Sequence, residues 1–359
     1  MQHAKTDIQI YVDDPLVLAA GSLDARDRSF GKTLLVLGIL RLKMSWGKAY
    51  LGVKPSWIGA CIWASREFLH ISVTEQKRAQ MVTTLEALLG APTAPIRELQ
   101  KVAGSSSFVA GFIVYWKPFV AMIYAAIAAT VRESTASHAD DHRAGRATLH
   151  VSIKRCRHAL VWLLAFLVDW SGCERKFRIT PTITIQGNFI CMDASPWGMG
   201  AALYINFVPV EFFGVELSDQ DLRRYSAKKG VSDHITIWEA LTFLVCVRVW
   251  LVSSSIPQVI RLKSDSLGAL RAMMKLSSPN KFLNYIAMEV AHHVAVEDVD
   301  TSCLEHIPGV SNVVADSLSR LYAPSPKSVP ECLANSKRIH PPERTPEFYR
   351  VWNRRPSHI

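Results

Sequence analysis

Apolar positions in the second half of the chain follow the spacing of strands first and then mainly that of helices. Three β-type runs joined by short turns precede a long apolar helix, and further strands and helices follow it. The predicted strands lie at 183–193, 199–206, 208–215, 258–264 and 302–306, and the predicted helices at 235–251, 266–276, 281–295 and 312–321. Hairpins followed by crossover helices predict an α/β domain with a mixed five-stranded sheet and flanking helices.

The first half begins with short β-runs and continues as a long helical stretch. Its pattern predicts two strands around a tight polar turn, a helix that runs into a strand, and a short hairpin, at 6–20, 26–43 and 50–73. Thr74 can cap a helix, and the helical pattern extends from there to Ala129.

Two further segments have the composition of connections. Residues 132–148 are small and polar, which predicts a linker, and a helix over 150–170 follows it. Residues 323–359 are rich in Pro and in basic side chains, so we expect them to be extended or disordered. The predicted organisation therefore has five segments, at 1–73, 74–131, 132–180, 181–322 and 323–359.

Residues 108–131 are apolar enough to be considered as a membrane span. A span needs about 20 unbroken apolar residues, whereas Lys117 and Pro118 interrupt this stretch near its middle. Two buried helices that meet at a proline corner account for the pattern better, so we expect no membrane partner.

The composition is that of a globular protein, with 49% hydrophobic and 20% charged residues. The formal net charge of +10 favours a polyanionic partner, either nucleic acid or an anionic membrane surface. None of the seven cysteines forms a C-x-x-C pair, so neither a zinc site nor a disulfide framework is predicted. Together with a start that lacks the apolar region of a secretory signal, this predicts an intracellular protein, cytoplasmic or nuclear.

Four acidic residues of the second half stand at informative positions. Asp193 ends the first predicted strand, before a Gly-bearing turn, and Asp265 ends the fourth. Glu239 lies near the start of the long apolar helix, and Asp316 near the start of the last helix. Strand ends at the carboxyl edge of a sheet converge, and helices packed on the sheet can bring in the other two acids, so we expect the four carboxylates to meet. For any one acid alone, an ordinary solvated side chain is the alternative.

Carboxylates crowded in this way repel one another, which raises their pKa values. Two divalent cations about 3.5–4 Å apart would relieve the repulsion and bind a scissile phosphate from both sides. Oxygen ligands without a cluster of His or Cys indicate magnesium or manganese rather than zinc.

Four segments, MDASPWGMGAALY, IWEAL, LKSDS and EHIPGVSNVVADSLSR, resemble the four motifs of the ribonuclease H domain of retroelement reverse transcriptase polyproteins, in the same order. The resemblance covers about residues 188–322. It implies a ribonuclease H-like fold and two-metal hydrolysis of the RNA strand of RNA–DNA hybrids. By the same resemblance, the catalytic residues and metal ligands are Asp193, Glu239, Asp265 and Asp316.

Two positions depart from the motifs. Ser266 follows Asp265 where many relatives have Asn, and Val310 stands where cellular relatives carry a histidine thought to help product release. The missing histidine puts the turnover rate in question, but not metal binding.

A second pair of acids, Asp13 and Asp14, lies in the sequence YVDD between the first two β-runs. Adjacent acids in such a turn can hold the magnesium ions bound to an incoming triphosphate. A surface Asp-Asp turn is the alternative.

The segment LRLKMSWGKAYLGVKPSWIGACI then resembles the end of a reverse transcriptase palm. The resemblance implies nucleic-acid contacts at Lys48 and at the hairpin of Trp57 and Gly59, which would grip the primer of a primer–template. It also implies that residues 74–131 are the thumb and connection. Core packing is the alternative for these Trp and Gly residues.

The polymerase site of that family needs a further Asp on a strand upstream of the YVDD turn, and only ten residues precede Tyr11. We therefore expect no polymerase activity from this chain, and we expect the rest of a retroelement polyprotein as its partner. The alternative to a nuclease is a catalytically inactive, nucleic-acid-binding remnant of a retrotransposon.

A hybrid substrate would be held mainly through its phosphates. The expected basic contacts are Arg223, Arg224, Lys228 and Lys229, before the long helix, together with the tail. The tail, 323–359, has seven Lys/Arg and three Asp/Glu, so its net charge is 7 − 3 = +4. A solvated face is the alternative for each of these groups of charges.

Overall fold

The computed structural model describes residues 5–11, 14–42, 45, 47, 49–65, 67–137, 149–178, 187–252, 260–297, 299 and 303–352. The chain divides into two compact units. The first comprises Met1–Lys77 with Lys176–Ile179, and the second comprises Arg78–Arg175 with Thr180–Ile359.

Strands and helices are interspersed along the described chain, with several runs of consecutive strands. The strands are β1 (Lys5–Tyr11), β2 (Asp14–Ala20), β3 (Ser56–Trp57), β4 (Ala60–Ala64), β5 (Phe68–Val73), β6 (Thr93–Pro95), β7 (His150–Ser152), β8 (Glu174–Arg178), β9 (Phe189–Ala194), β10 (Gly198–Ile205), β11 (Val208–Glu216), β12 (Arg261–Ser264), β13 (Leu304–His306) and β14 (Lys337–Arg338). The helices are α1 (Leu23–Ile39), α2 (Glu75–Gly90), α3 (Ile96–Phe112), α4 (Lys117–Ser137), α5 (Arg157–Val168), α6 (Asp219–Arg224), α7 (Ile235–Cys246), α8 (Leu267–Lys275), α9 (Lys281–Glu297) and α10 (Val313–Ser319).

The first unit begins with the predicted pair of strands. β1 and β2 are antiparallel, and their register pairs Tyr11 with Asp14. The helix predicted next is present as α1, but a turn follows it, and no strand forms at 40–42. The strand predicted there is therefore wrong for the residues that the structure describes.

A tight turn joins β3 to β4 at Ile58 and Gly59. Both residues have positive φ, 43° and 87°, and Trp57 pairs with Ala60 across the turn. Two central residues with positive φ define a type I′ turn, in which glycine avoids the steric cost of a side chain. The predicted W-I-G hairpin is confirmed as a structure, and the sheet that contains it has the order β3-β4-β5-β8.

The helical segment matches its prediction at most boundaries. The Thr74 hydroxyl accepts a hydrogen bond from the Lys77 backbone N–H at 3.3 Å, as expected of a cap. Lys117 and Pro118 start α4 after a short 3-10 turn, so the predicted corner between two helices is confirmed. Proline fits there because the first helical turn needs no intrahelical N–H bond.

Two boundaries differ from the prediction. α4 continues to Ser137, so the first six residues of the predicted linker are helical, and 138–148 lie outside the described residues. The helix predicted over 150–170 begins only at Arg157, because 150–152 form β7 and pair with β6. A pairing between segments so distant in sequence leaves no local pattern.

Among the described residues, two apolar helices have the length and composition of a membrane span, Val114–Thr135 and Ser232–Leu251. The most apolar window of the second is 72% buried within the protein and that of the first 44%. Core helices of soluble proteins meet the same criteria when they are apolar on all sides.

A mixed sheet forms the centre of the second unit, with strand order β13-β12-β9-β10-β11-β14. β9, β10 and β11 are antiparallel neighbours, whereas β12 runs parallel to both β9 and β13. α7 packs on this sheet, and its residues 237–246 are all buried. The predicted mixed α/β architecture is confirmed. The sheet has six strands rather than the predicted five because β14, from the tail, pairs with β11.

The tail is ordered and packed against the second unit over its described residues, 323–352, so the disordered alternative is wrong there, although most of the segment has no helix or strand. Its apolar side chains at Leu333, Phe348, Tyr349 and Val351 are buried. These few anchors are widely spaced among Pro and charged residues, so the average composition concealed them.

Glu289 of α9 holds the end of the tail. Its fully buried carboxylate accepts hydrogen bonds from the backbone N–H groups of Arg350, Val351 and Trp352, at 2.8–2.9 Å, and from the Arg248 guanidinium at 2.9 Å. A buried carboxylate needs such compensation, and here the tail backbone supplies most of it.

Replacing Glu289 with Ala should lower the free energy of unfolding of the second unit by about 3 kcal/mol, since Arg248 and three backbone donors would lose their acceptor in a buried place. Urea unfolding followed by tryptophan fluorescence measures the change. Glu133→Ala is the matched control, because Glu133 also pairs with an arginine but is 62% exposed. Its loss should stay below about 1 kcal/mol. Equal losses in the two variants would contradict the role assigned to Glu289.

Candidate metal centre

Three of the four acids that the sequence singled out come together at one edge of the central sheet. Asp193, Glu239 and Asp265 each offer a carboxylate oxygen, and these oxygens all lie within 4.8 Å of one another. Asp193 and Glu239 are buried, at 6% and 4% exposure. The cluster is therefore an interior feature and not a group of surface acids.

Strand direction places two of these acids. β9 and β12 are parallel, with Leu262 opposite Ile190 and Lys263 opposite Cys191. Asp193 lies near the carboxyl end of β9, and Asp265 directly follows β12, so both reach the same edge of the sheet. This is the convergence that the sequence predicted.

The third acid comes from the helix packed on that sheet. Glu239 lies in the first half of α7, and its Oε1 accepts a hydrogen bond from the Ala194 backbone N–H at 3.2 Å. Its Oε2 accepts one from the Ser264 hydroxyl at 3.3 Å. Glu239 is thus bonded to the ends of both β9 and β12.

Asp316 does not join the cluster. Its Oδ1 accepts a hydrogen bond from Arg320 Nε at 2.6 Å, and its Oδ2 pairs with the Lys327 ammonium. Its charge still contributes to the raised pKa of Asp193, so it lies near that acid. The expectation that four carboxylates meet is therefore correct for three of them. The fourth, Asp316, is held instead by the positively charged side chains of Arg320 and Lys327.

Burial dominates the electrostatics of the cluster. It raises the pKa of Asp193 to about 6, with smaller contributions from the charges of Asp265 and Asp316. Burial also raises the pKa of Glu239 well above its usual value, and the charge of Asp193 adds to the effect. By contrast, although burial acts to raise the pKa of Asp316, the hydrogen bonds from Lys327 and Arg320 outweigh it and lower that pKa.

Two residues of the last motif orient acids of the other motifs. The Ser319 hydroxyl donates to Asp193 Oδ2 at 2.6 Å. The Asn312 amide donates to Asp265 Oδ1 at 3.3 Å and to the Met192 carbonyl at 2.9 Å. Sequence reasoning did not assign these roles to Asn312 and Ser319. The available signal was their spacing of seven residues, which places them on one face of a helix.

Glycines allow α10 to approach the sheet closely enough for these bonds. A Cβ on Gly200 would lie 2.5 Å from both Leu318 Cβ and the Ser319 backbone nitrogen. A Cβ on Gly309 would lie 2.9 Å from Asp265 Oδ2. The Gly-bearing turn of the first motif and the IPG of the last therefore have a steric explanation.

The predicted nucleic-acid contacts have different surroundings. Arg223 and Lys228 are exposed, whereas Lys229 pairs with Glu216. The Arg224 guanidinium lies over two rings of the tail, 3.9 Å from the Tyr349 centroid and 5.0 Å from that of Trp352. The predicted polar loop also contains a helix, α6, which begins at a capping box of Ser218 and Asp221.

The predicted contacts of the first unit are described only in part. Trp57 and Gly59 lie in the hairpin of β3 and β4, and Asp14 begins β2. Asp13 and Lys48 lie outside the described residues, and so does the Asp14 side chain. Their roles with primer and metal remain predictions.

Comparison with protein-family models gives no match, and comparison with curated proteins gives none. Among solved structures, the chain is similar to the foamy viral protease-reverse transcriptase in complex with RNA/DNA hybrid, at 14% sequence identity and a TM-score of 0.34. The similarity covers 90% of this chain and 37% of that one, so the chain spans little more than a third of the length of the viral protein.

Replacing Gly200 with Ala should destabilise the second unit by about 1–3 kcal/mol, because α10 would have to move away from β10. The thermal unfolding midpoint measures the effect. Gly104→Ala provides the control, since Gly104 is exposed within α3 and a Cβ there meets no atom within 4 Å. It should stabilise the protein by about 0.5–1 kcal/mol. A Gly200 variant as stable as the wild type would refute the close packing of α10.

Proposed function

We propose that the second unit contains a ribonuclease H-type nuclease that hydrolyses the RNA strand of RNA–DNA hybrids with two divalent metal ions. The observation that carries the proposal is the convergence of Asp193, Glu239 and Asp265, whose carboxylate oxygens lie within 4.8 Å of one another. The three acids come from three of the four motifs on which the resemblance to this class of nuclease rests, and those motifs are separate in sequence.

The donor set fits a hard cation. All three side chains offer oxygen, which magnesium and manganese prefer. The hydrogen bonds that Asp193 and Glu239 receive come from neutral groups, namely two hydroxyls and a backbone N–H, so these bonds leave the negative charge in place. A buried site with this charge favours a cation.

Asp193, Glu239 and Asp265 would hold the metal ions, and Asp316 would complete the set. When bound, such ions supply an activated water as nucleophile and positive charge at the leaving oxygen. Ser319 and Asn312 fix the orientation of Asp193 and Asp265 through the hydrogen bonds described above. Such support from neighbouring residues sets how well the ligands are organised before a cation or substrate arrives.

The hybrid would be held through its phosphates by exposed cations, of which Arg223 and Lys228 are candidates. Contacts of this kind position the duplex without reading its sequence. Binding should therefore weaken as salt concentration rises.

The proposal extends to the first unit through its resemblance to a reverse transcriptase palm. The hairpin at Trp57 and Gly59, with its type I′ turn, would contact a primer–template. On this proposal the chain is part of a retroelement polyprotein, and the other segments of that polyprotein are the partners of this chain.

Incubation of the protein with a hybrid labelled on the RNA strand tests the nuclease directly. Magnesium-dependent cleavage is expected, with the duplex DNA and duplex RNA of the same sequence left intact. Asp193→Asn should reduce the rate at least about a hundredfold, because it removes a buried anionic ligand. Gel analysis of the fragments gives the rates.

Asp219→Asn is the matched control, since Asp219 is an exposed acid in the first turn of α6. It should retain the wild-type rate. Cleavage that persists in a metal chelator, or in Asp193→Asn, would overturn the proposal. Tight binding of the hybrid without cleavage would identify an inactive nucleic-acid-binding remnant instead.

A further inference from the structure

Asp316 differs from the other three acids in the charge of its partners. Arg320 Nε donates to one of its carboxylate oxygens at 2.6 Å, and the Lys327 ammonium pairs with the other. Asp193 and Glu239 receive hydrogen bonds from a hydroxyl, or from a hydroxyl and a backbone N–H. A divalent cation approaching Asp316 therefore meets two positively charged side chains bonded to its carboxylate. The charge of Arg320 also acts on Asp193, but the hydrogen bond described for Asp193 comes from a neutral hydroxyl.

The two positively charged side chains, those of Arg320 and Lys327, reach Asp316 from different parts of the chain. Arg320 lies one helical turn beyond Asp316, so its position follows from the helix. Lys327 belongs to the segment that follows α10, and its backbone N–H donates to the Arg320 carbonyl at 3.4 Å. The chain thus folds back on the end of α10 and returns a lysine to the same carboxylate.

The folded tail holds this lysine in place. Pro324 and Pro326 restrict the returning segment, since proline fixes its φ angle. Beyond it, Leu333 is buried, and β14 pairs with the edge of the sheet at β11. The Lys327 ammonium is consequently supplied by a docked segment, while its side chain is 46% exposed.

We propose that Lys327 is a positioning residue that competes with the second divalent cation for Asp316, so that the site holds one ion more tightly than the other. This inference rests on the proposed function. In the absence of the second ion the ammonium neutralises Asp316. Filling of the second position requires Lys327 to withdraw, because like charges at short range repel. Arg320 remains on its helix in both states.

Titration of the full chain with manganese tests the competition, with free ion measured by electron paramagnetic resonance. The wild type should bind one ion tightly and a second one more weakly. Lys327→Met should increase the affinity of the second site by up to about fivefold, which is the change in affinity that corresponds to the free energy of a partly exposed ion pair. Lys327→Arg keeps the charge and should resemble the wild type.

Lys337→Met is the matched control, because Lys337 is also a tail lysine paired with an acid, Glu211, at 3.4 Å. It should leave both sites unchanged. Equal second-site affinities in the wild type and Lys327→Met would overturn the inference while leaving the nuclease intact. A wild type that binds no manganese would overturn the proposed function as well.

A second readout on the wild type covers the case of a misfolded variant. Mass spectrometry can follow acetylation of Lys327 by an amine-reactive reagent. Its labelling rate should rise when manganese fills both positions, whereas the rate at Lys337 should stay constant. A Lys327 rate independent of manganese, with two ions bound, would again contradict the competition.

Discussion

The cost of burying acidic side chains beside one another governs the second unit. Taking a carboxylate out of water costs several kcal/mol, and neutral hydrogen bonds offset only part of that cost. Asp193 and Glu239 are both buried, and the charge of Asp193 adds to the raised pKa of Glu239. The remaining charge is stable in the folded protein only if protons or cations neutralise it. This constraint explains why the strand ends, the glycines and the polar side chains around the cluster are arranged as they are.

Close packing of α10 supplies much of that arrangement. The helix contributes Ser319 to Asp193, and the absence of a side chain at Gly200 lets it approach the sheet closely. At the other end, Gly309 lets the chain pass beside the Asp265 carboxylate, and Asn312 then bonds to that carboxylate. The last motif therefore contributes more than an acid. It supports two acids that belong to other strands.

The sequence predicted the parts of the site that depend on local pattern and strand direction. Asp193 and Asp265 each end a strand, and parallel strands place such residues at one edge, so their meeting could be foreseen. The contact of Asp316 with Lys327 could not, because Lys327 is eleven residues away and arrives through a turn that no periodicity reveals. Arg224 was likewise expected to contact nucleic-acid phosphates, or to lie on a solvated face, whereas it lies over aromatic rings from the tail. Contacts between distant segments decide both cases.

The folded tail also changes how the positive charge of the chain should be understood. A net charge of +4 in residues 323–359 suggested a phosphate-binding extension. In the structure most of its described cations pair with acids of the second unit, namely Lys327 with Asp316, Lys337 with Glu211, Arg344 with Asp221 and Arg350 with Glu297.

These ion pairs attach the tail to the rest of the second unit. Among them, the Arg344–Asp221 pair is the most buried, since both side chains are at most 7% exposed. A cation whose partner is fixed in this way contributes little to the attraction of a polyanion at a distance. On the proposed function, the attraction of a nucleic acid to this unit would therefore depend on exposed charge elsewhere, such as that of Arg223 and Lys228. Within the described tail, Lys327 contacts an acid of the last motif, Asp316, beside the candidate metal site.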